Sequence, residues 1–160
     1  LGMALAQLGK IDPAIEVYRK CIEVEPTYHK AYNNIGELYR RKGLLDYAAM
    51  VFKMATEIDP GHAHYFYNLG ITYFEIGMLP QAELAFERSV VLDPNDFDYV
   101  NELAQTRFNL RKLAGAAEVL ERFLGAHPDH DRAPEIRARL TLLQRKFGGA
   151  GRMEPPTIHD

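Results

Sequence analysis

The sequence predicts an all-α fold in which paired helices recur along the chain. Three features predict it: evenly spaced prolines, helical spacing of apolar residues within each interval, and glycine or aspartate where short turns need them. Pro26, Pro60, Pro94 and Pro128 are each 34 residues apart. At the same offset the segment from Asn33 to Tyr39 slides onto Tyr67 to Tyr73, and Tyr47 to Phe52 onto Gln81 to Phe86. Such a period marks an array of supersecondary units, each too small to bury its apolar face alone.

The first unit is partial (1–28), and complete units follow at 29–62, 63–96 and 97–130. Within the second, Tyr32, Ile35, Gly36 and Tyr39 follow an i, i+3, i+4, i+7 pattern, as do Ala48, Val51, Phe52 and Ala55, so each unit holds two helices. In the linking turn Gly43 ends the first helix, Asp46 is expected to cap the second, and Pro13 is expected at the first helical position in unit one. The prolines closing each unit stop the second helix, and Thr27, Asn95 and Asp129 are expected to cap the next. Gly36 and Gly70 are expected to face Ala48 and Ala82, while Tyr39, Phe52, Tyr73 and Phe86 fill the wedges between neighbouring helices. A last helix over 133–147 starts at Pro134 and carries the stripe Ile136, Leu140, Leu143 and Phe147. That stripe enters the register of a fifth unit only if about two residues are inserted, so it is expected to cap the array. The glycine- and proline-rich stretch 148–160 is expected to be a mobile or extended tail. Because Leu1-Gly2 falls inside a helix of the pattern, the chain is expected to be part of a longer one.

These units resemble the tetratricopeptide repeat. Unit two carries Tyr32, Ile35-Gly36, Tyr39, Ala48, Phe52, Ala55 and Pro60, and unit three carries Phe66, Leu69-Gly70, Tyr73, Ala82, Phe86, Ser89 and Pro94. Unit one keeps Leu1-Gly2, Leu5, Ala14, Tyr18, Cys21 and Pro26. Unit four departs from the pattern, with Ala104 for the glycine, Arg107 for the tyrosine and Phe123 for the small residue. The resemblance implies a right-handed superhelix over 1–147 as a single array, with the first helices of successive repeats lining its concave face.

Composition narrows the function classes. With 19 Lys+Arg against 22 Asp+Glu, net charge −3 and pI near 6.1, there is no basic field to attract nucleic acid or an anionic membrane. No apolar run approaches the roughly 20 residues of a membrane-spanning helix. The only cysteine, Cys21, and the only serine, Ser89, share the small core position of Ala55, which disfavours nucleophilic catalysis. The histidines in His62-Ala63-His64 and His127-Pro128-Asp129-His130 sit at inter-repeat loops, and residues two apart on a helix do not share a face, so no metal site is expected. The acidic pairs Glu23/Glu25 and Asp96/Asp98 lie at helix ends, outside any apolar cleft that would tune them for acid–base work. No phosphate-binding glycine loop precedes a helix, so no cofactor and no enzymatic activity are expected.

What remains is the concave face that the resemblance implies. Its residues are Lys30, Asn33, Asn34, Glu37 and Arg40 in repeat two; His64, Tyr67, Asn68, Ile71 and Phe74 in repeat three; and Asp98, Asn101, Glu102, Gln105 and Phe108 in repeat four. Asn34 and Asn68 recur at one position and are expected to grip the backbone of an extended peptide. Tyr67, Ile71 and Phe74 form a second apolar stripe, extended by Phe108, expected to accept apolar side chains. Lys30 and Arg40 at one end and Asp98 and Glu102 at the other are expected to orient a ligand by charge. The lysine, asparagine and arginine constellation with which related repeats clamp a terminal carboxylate does not fit, because Asp98 and Glu102 stand where cations are required. The function expected is a scaffold binding a protein or peptide partner. Two alternatives are self-assembly through the ends of the array, giving a homo-oligomer, and service as the non-catalytic appendage of a larger enzyme or assembly factor.

Overall fold

The computed structural model describes residues 1–150, with side chains through Arg145. Among the described residues there are nine helices and no strand: α1 Gly2–Gln7, α2 Ile11–Val24, α3 His29–Arg41, α4 Leu45–Ile58, α5 Ala63–Ile76, α6 Leu79–Leu92, α7 Phe97–Asn109, α8 Leu113–Ala126 and α9 Ala133–Ala150. Each helix packs on the next, and α3 with α5 and α5 with α7 also touch, so the first helices form one layer. The helix α9 therefore runs past the glycine pair Gly148-Gly149, and 151–160, most of the expected tail, lies outside the described residues.

The prolines act through the residues before them. Glu25, Asp59, Asp93 and His127 are the C-caps of α2, α4, α6 and α8, with φ between −139 and −126. A following proline ring clashes with helical backbone at the preceding residue and pushes it toward the extended region, which ends the helix there. Within each unit the turn closes differently. Gly9, Gly43 and Gly77 take φ of +73, +74 and +90, and Arg111 holds the same repeat position at +62. The next amide then bonds back across the turn, as from Leu44 N to the Tyr39 carbonyl at 2.9 Å and Lys112 N to the Arg107 carbonyl at 2.8 Å. This left-handed closure satisfies carbonyls that the helix end leaves open.

Capping by side chains is scarcer than the sequence suggests. The N-caps of α2, α3, α4 and α6 are Lys10, Tyr28, Leu44 and Met78, none with a side-chain cap bond, so neither Thr27 nor Asp46 caps. Asp46 instead stands in the first turn of α4. At α7 the cap is Asp96, accepting from Asp98 N, while Asn95 closes a turn on the Asp93 carboxylate. Pro13 lies two residues inside α2. A proline is tolerated there because the first turn's amides have no intrahelical partner to lose.

The glycines of the first helices have a more specific neighbour than the small residues expected. A Cβ on Gly36 would lie 2.6 Å from the Phe52 ring, on Gly70 2.6 Å from the Phe86 ring, and on Gly2 2.7 Å from the Tyr18 ring. The ring 16 residues downstream lies across each glycine, and Phe52 and Phe86 are fully buried there. Repeat four carries Ala104 and Leu120 at this pair, a larger residue against a smaller one. Its other departures also compensate. Arg107 takes the tyrosine's place and pairs with Glu83 at 3.2 Å and with Glu87, while Lys112 reaches the same Glu83 carboxylate. Arg107 also donates to the Gly115 carbonyl at 3.1 Å, with room left by the missing side chain there.

Ala55 and Ser89 are fully buried, whereas Cys21 is half-exposed, because α1 covers its side of α2 with only six residues. Phe123, at the same position in repeat four, is buried against Phe97, His127 and His130. The apolar residues Ile136, Leu140 and Leu143 of α9 join the core of repeat four. The Phe147 side chain lies outside the described residues.

Candidate functional site

The first helices α3, α5 and α7 carry all fifteen residues expected on the concave face, but the fold puts them to different uses. Asn68 is buried and its Nδ2 donates to Asn33 Oδ1 at 2.9 Å, so this amide nitrogen ties α5 to α3. Asn34, at the same repeat position, instead lines a hollow with Met3, Ala6 and Gln7 of α1 and with Tyr18 of α2. The two asparagines thus do not share an environment.

The second apolar stripe has structural duties. Tyr67 packs its ring on Tyr99 at 4.9 Å and on Phe86 at 5.9 Å, and exposed His64 stacks on it at 5.9 Å. Burial, followed by Glu102, Asp98 and Asp96, pushes the Tyr67 phenol above its ordinary pKa. Ile71, Phe74 and Phe108 are half-buried against the same core. Each still leaves part of its apolar surface in solvent, on neighbouring helices α5 and α7.

Two of the charged groups on this face, Arg40 and Glu102, are engaged by neighbouring charges. Arg40 bridges Glu37 at 3.3 Å and Glu75 at 3.2 Å, and its Nε is buried without a hydrogen-bond partner. At the other end Arg139 of α9 donates to Asn101 Oδ1, and Asn101 Nδ2 donates to Glu102 Oε1 at 3.3 Å. Burial raises the Glu102 pKa, with Asn101 and Arg139 opposing. Gln105 donates to Asn109 at 3.2 Å. The expected polarity from Lys30 and Arg40 to Asp98 and Glu102 is therefore weakened at Arg40, whose charge is met by two carboxylates, and at Glu102, on which the Arg139 charge acts.

One feature of the site escaped the sequence pattern. An open cleft of about 300 Å³ lies between α7, α8 and α9 at the end of the face. Ala104, Gln105 and Phe108 line it from α7, Ala116 and Leu120 from α8, and Arg139, Leu142 and Leu143 from α9. In repeats two and three a phenylalanine ring lies over a glycine at the place of Leu120 and Ala104. The smaller leucine, together with slight contact between α9 and α7, leaves space that a ring fills elsewhere. The Phe-to-Leu and Gly-to-Ala changes were the available sequence signal.

His29 and His62 flank Asp59 at 3.7 and 3.6 Å, but no group of three or more His, Cys, Asp or Glu side chains among the described residues could hold a metal ion. No helix among them is long and apolar enough to cross a membrane.

Family models agree with the geometry along most of the chain. A TPR repeat model matches residues 2–43, one tetratricopeptide repeat model matches 29–62 and 63–96, and another matches 101–151. The chain is a tetratricopeptide repeat protein. The third model spans α7 through α9, so the last helix belongs to the family's pattern as well. Among solved structures, MamA is similar with TM-score 0.78 at 24% identity, covering 92% of this chain and 85% of MamA. YrrB, described as a TPR protein with an unusual peptide-binding site, is similar with TM-score 0.76 at 19% identity, covering 94% of this chain and 76% of YrrB. The first TPR of Spaghetti (RPAP3), bound to the HSP90 peptide SRMEEVD, gives TM-score 0.66 at 25% identity, covering 69% of this chain and 87% of that one. No curated protein sequence matches.

Proposed function

We propose that this tetratricopeptide repeat protein is a non-catalytic interaction scaffold that holds a segment of a partner protein along its concave face. The observation that carries the reading is the line of half-buried apolar side chains Tyr67, Ile71, Phe74 and Phe108, spread over two adjacent first helices. A ligand that covers their exposed parts gains apolar burial on surface the fold already holds rigid. The amides of Asn33, Asn101 and Gln105 border that line and supply polar contacts for an extended backbone. Likeness to YrrB and RPAP3, both described with peptide sites, favours a peptide segment as the ligand. A nucleophilic role for Ser89 conflicts with its full burial and with the bond from its hydroxyl to the Phe86 carbonyl at 2.8 Å.

Panning a random-peptide display library on the chain tests this reading. Enriched peptides are expected to carry spaced apolar residues. Ile71→Ser and Phe74→Ser, confirmed as folded, should weaken them by about 1–3 kcal/mol, the usual cost at an interface anchor. Arg145→Ala, exposed on α9, should leave affinity unchanged. Wild-type affinity in both groove variants would refute the groove.

A further inference from the structure

The cleft at the end of the face has mainly apolar walls, and its rim carries a cation with hydrogen-bond donors to spare. A guanidinium has five N–H donors. Among the described residues Arg139 gives one hydrogen bond, to the neutral amide oxygen of Asn101, and forms no ion pair. That bond fixes the guanidinium beside the cleft, where it is half-buried. The cleft walls are apolar apart from Gln105 and Arg139, and Leu142 at the rim is 58% exposed. At about 300 Å³ the space is roughly twice that of a cavity that accepts a benzene ring.

We propose that this cleft takes one bulky apolar side chain of a bound peptide whose neighbouring aspartate or glutamate side chain pairs with Arg139. Apolar walls alone are indifferent to what fills them; the guanidinium, with donors beyond its bond to Asn101, makes the choice, because a carboxylate can accept them in a bidentate, charge-assisted pair and a neutral residue cannot. Glu102 of α7, on which the Arg139 charge acts, takes its hydrogen bond from Asn101 and forms no ion pair with the guanidinium. This proposal rests on the reading of the chain as a peptide-binding array, but it places an anchor outside the line of Tyr67, Ile71 and Phe74.

The test is an NMR titration of the full chain with three blocked dipeptide amides: acetyl-leucyl-aspartate, acetyl-leucyl-asparagine and acetyl-alanyl-aspartate. The leucyl-aspartate probe should shift the backbone amides of Ala104, Gln105 and Leu142 saturably. The asparagine probe should bind about threefold to tenfold more weakly, and the alanyl probe at least about tenfold more weakly. Arg139→Gln should abolish the preference for aspartate over asparagine. The pair Ala104→Gly and Leu120→Phe restores the ring-over-glycine arrangement of repeats two and three and should abolish binding; should that variant not fold, Leu142→Glu on the exposed rim should do so. The proposal would be overturned by equal binding of all three probes, by tighter binding of acetyl-leucine through its terminal carboxylate, by cleft amides that respond to dilution rather than to probe, or by probe binding only after Met153 and Ile158 are replaced by alanine. Shifts confined to Asn33, Tyr67 and Ile71 would sink the cleft but leave the groove standing. Cleft binding together with unaltered peptide affinity in Ile71→Ser and Phe74→Ser would do the reverse.

Discussion

Replacing Gly70 by alanine adds a single carbon at a place the fold has no room for it. That carbon would lie 2.6 Å from Phe86 Cε1, 2.7 Å from Cδ1 and 3.0 Å from Cζ, where ordinary contact begins near 3.4 Å. The Phe86 ring is fully exposed to nothing but protein, and the cluster around it includes Ala82, Val90 and Tyr99, so it cannot swing aside. The helices α5 and α6 must separate by several tenths of an ångström, at an overpacking cost of about 1–3 kcal/mol. Alanine's better helix propensity returns up to about 1 kcal/mol. A net loss of about 1–2 kcal/mol is expected in a urea titration followed by circular dichroism. Phe86→Leu alone should also destabilise, by about 1–2 kcal/mol, by leaving space over the glycine. The double variant recreates the Ala104 and Leu120 pair of repeat four, so its cost should fall short of the sum of the single costs by about 1–2 kcal/mol. Additive behaviour to within about 0.5 kcal/mol, or a Gly70→Ala chain as stable as wild type, would refute the ring-over-glycine account.

The other predictions concern the turn, the ion cluster and alkaline pH. Arg111 takes a left-handed φ of +62 where the three preceding repeats have glycine, so Arg111→Gly should stabilise by up to about 1 kcal/mol; a loss of stability in the same titration would contradict the turn geometry. Arg107→Ala removes one of two cations from the buried Glu83 carboxylate and should cost about 2 kcal/mol, with part recovered when Glu83→Ala is added; no recovery would show that Arg107 acts by packing alone. The Tyr99 phenol is pushed up to about 12, by burial first and then by Asp96 and Asp93, whereas an unfolded tyrosine ionises near 10. Its contribution to stability is therefore intact below pH about 10 and is lost as the pH rises toward about 12. Tyr18, Tyr65 and Tyr67 are shifted the same way. The urea midpoint should thus fall above pH about 10, less steeply in Tyr99→Phe, and equal slopes would remove Tyr99 from the account.

The sequence by itself determined the fold to the level of individual helices. Helix pairing and turns follow from local rules that a repeat prints again and again. Proline displaces the residue before it from helical backbone, glycine accepts a left-handed turn, and apolar residues at helical spacing define one face. Four proline positions and a handful of aromatic and small residues therefore sufficed to locate α2 through α8 and to anticipate α9. The candidate site was legible only as a set of positions. All fifteen expected groove residues lie on the first helices, yet the availability of the central ones is set by neighbours on other helices, 19 to 35 residues away, which no local pattern contains. Asn68 is occupied by Asn33, Tyr67 by Phe86 and Tyr99, and Arg40 by Glu75, each across a boundary between helices. Repeat four shows the same division most clearly. Ala104, Arg107 and Leu120 read as drift from the repeat, because the compensation lies between helices rather than along one. Only when α7, α8 and α9 come together does Leu120 in place of a ring become an open cleft beside Arg139, since an empty volume belongs to the packing of three helices and to no one residue of any of them.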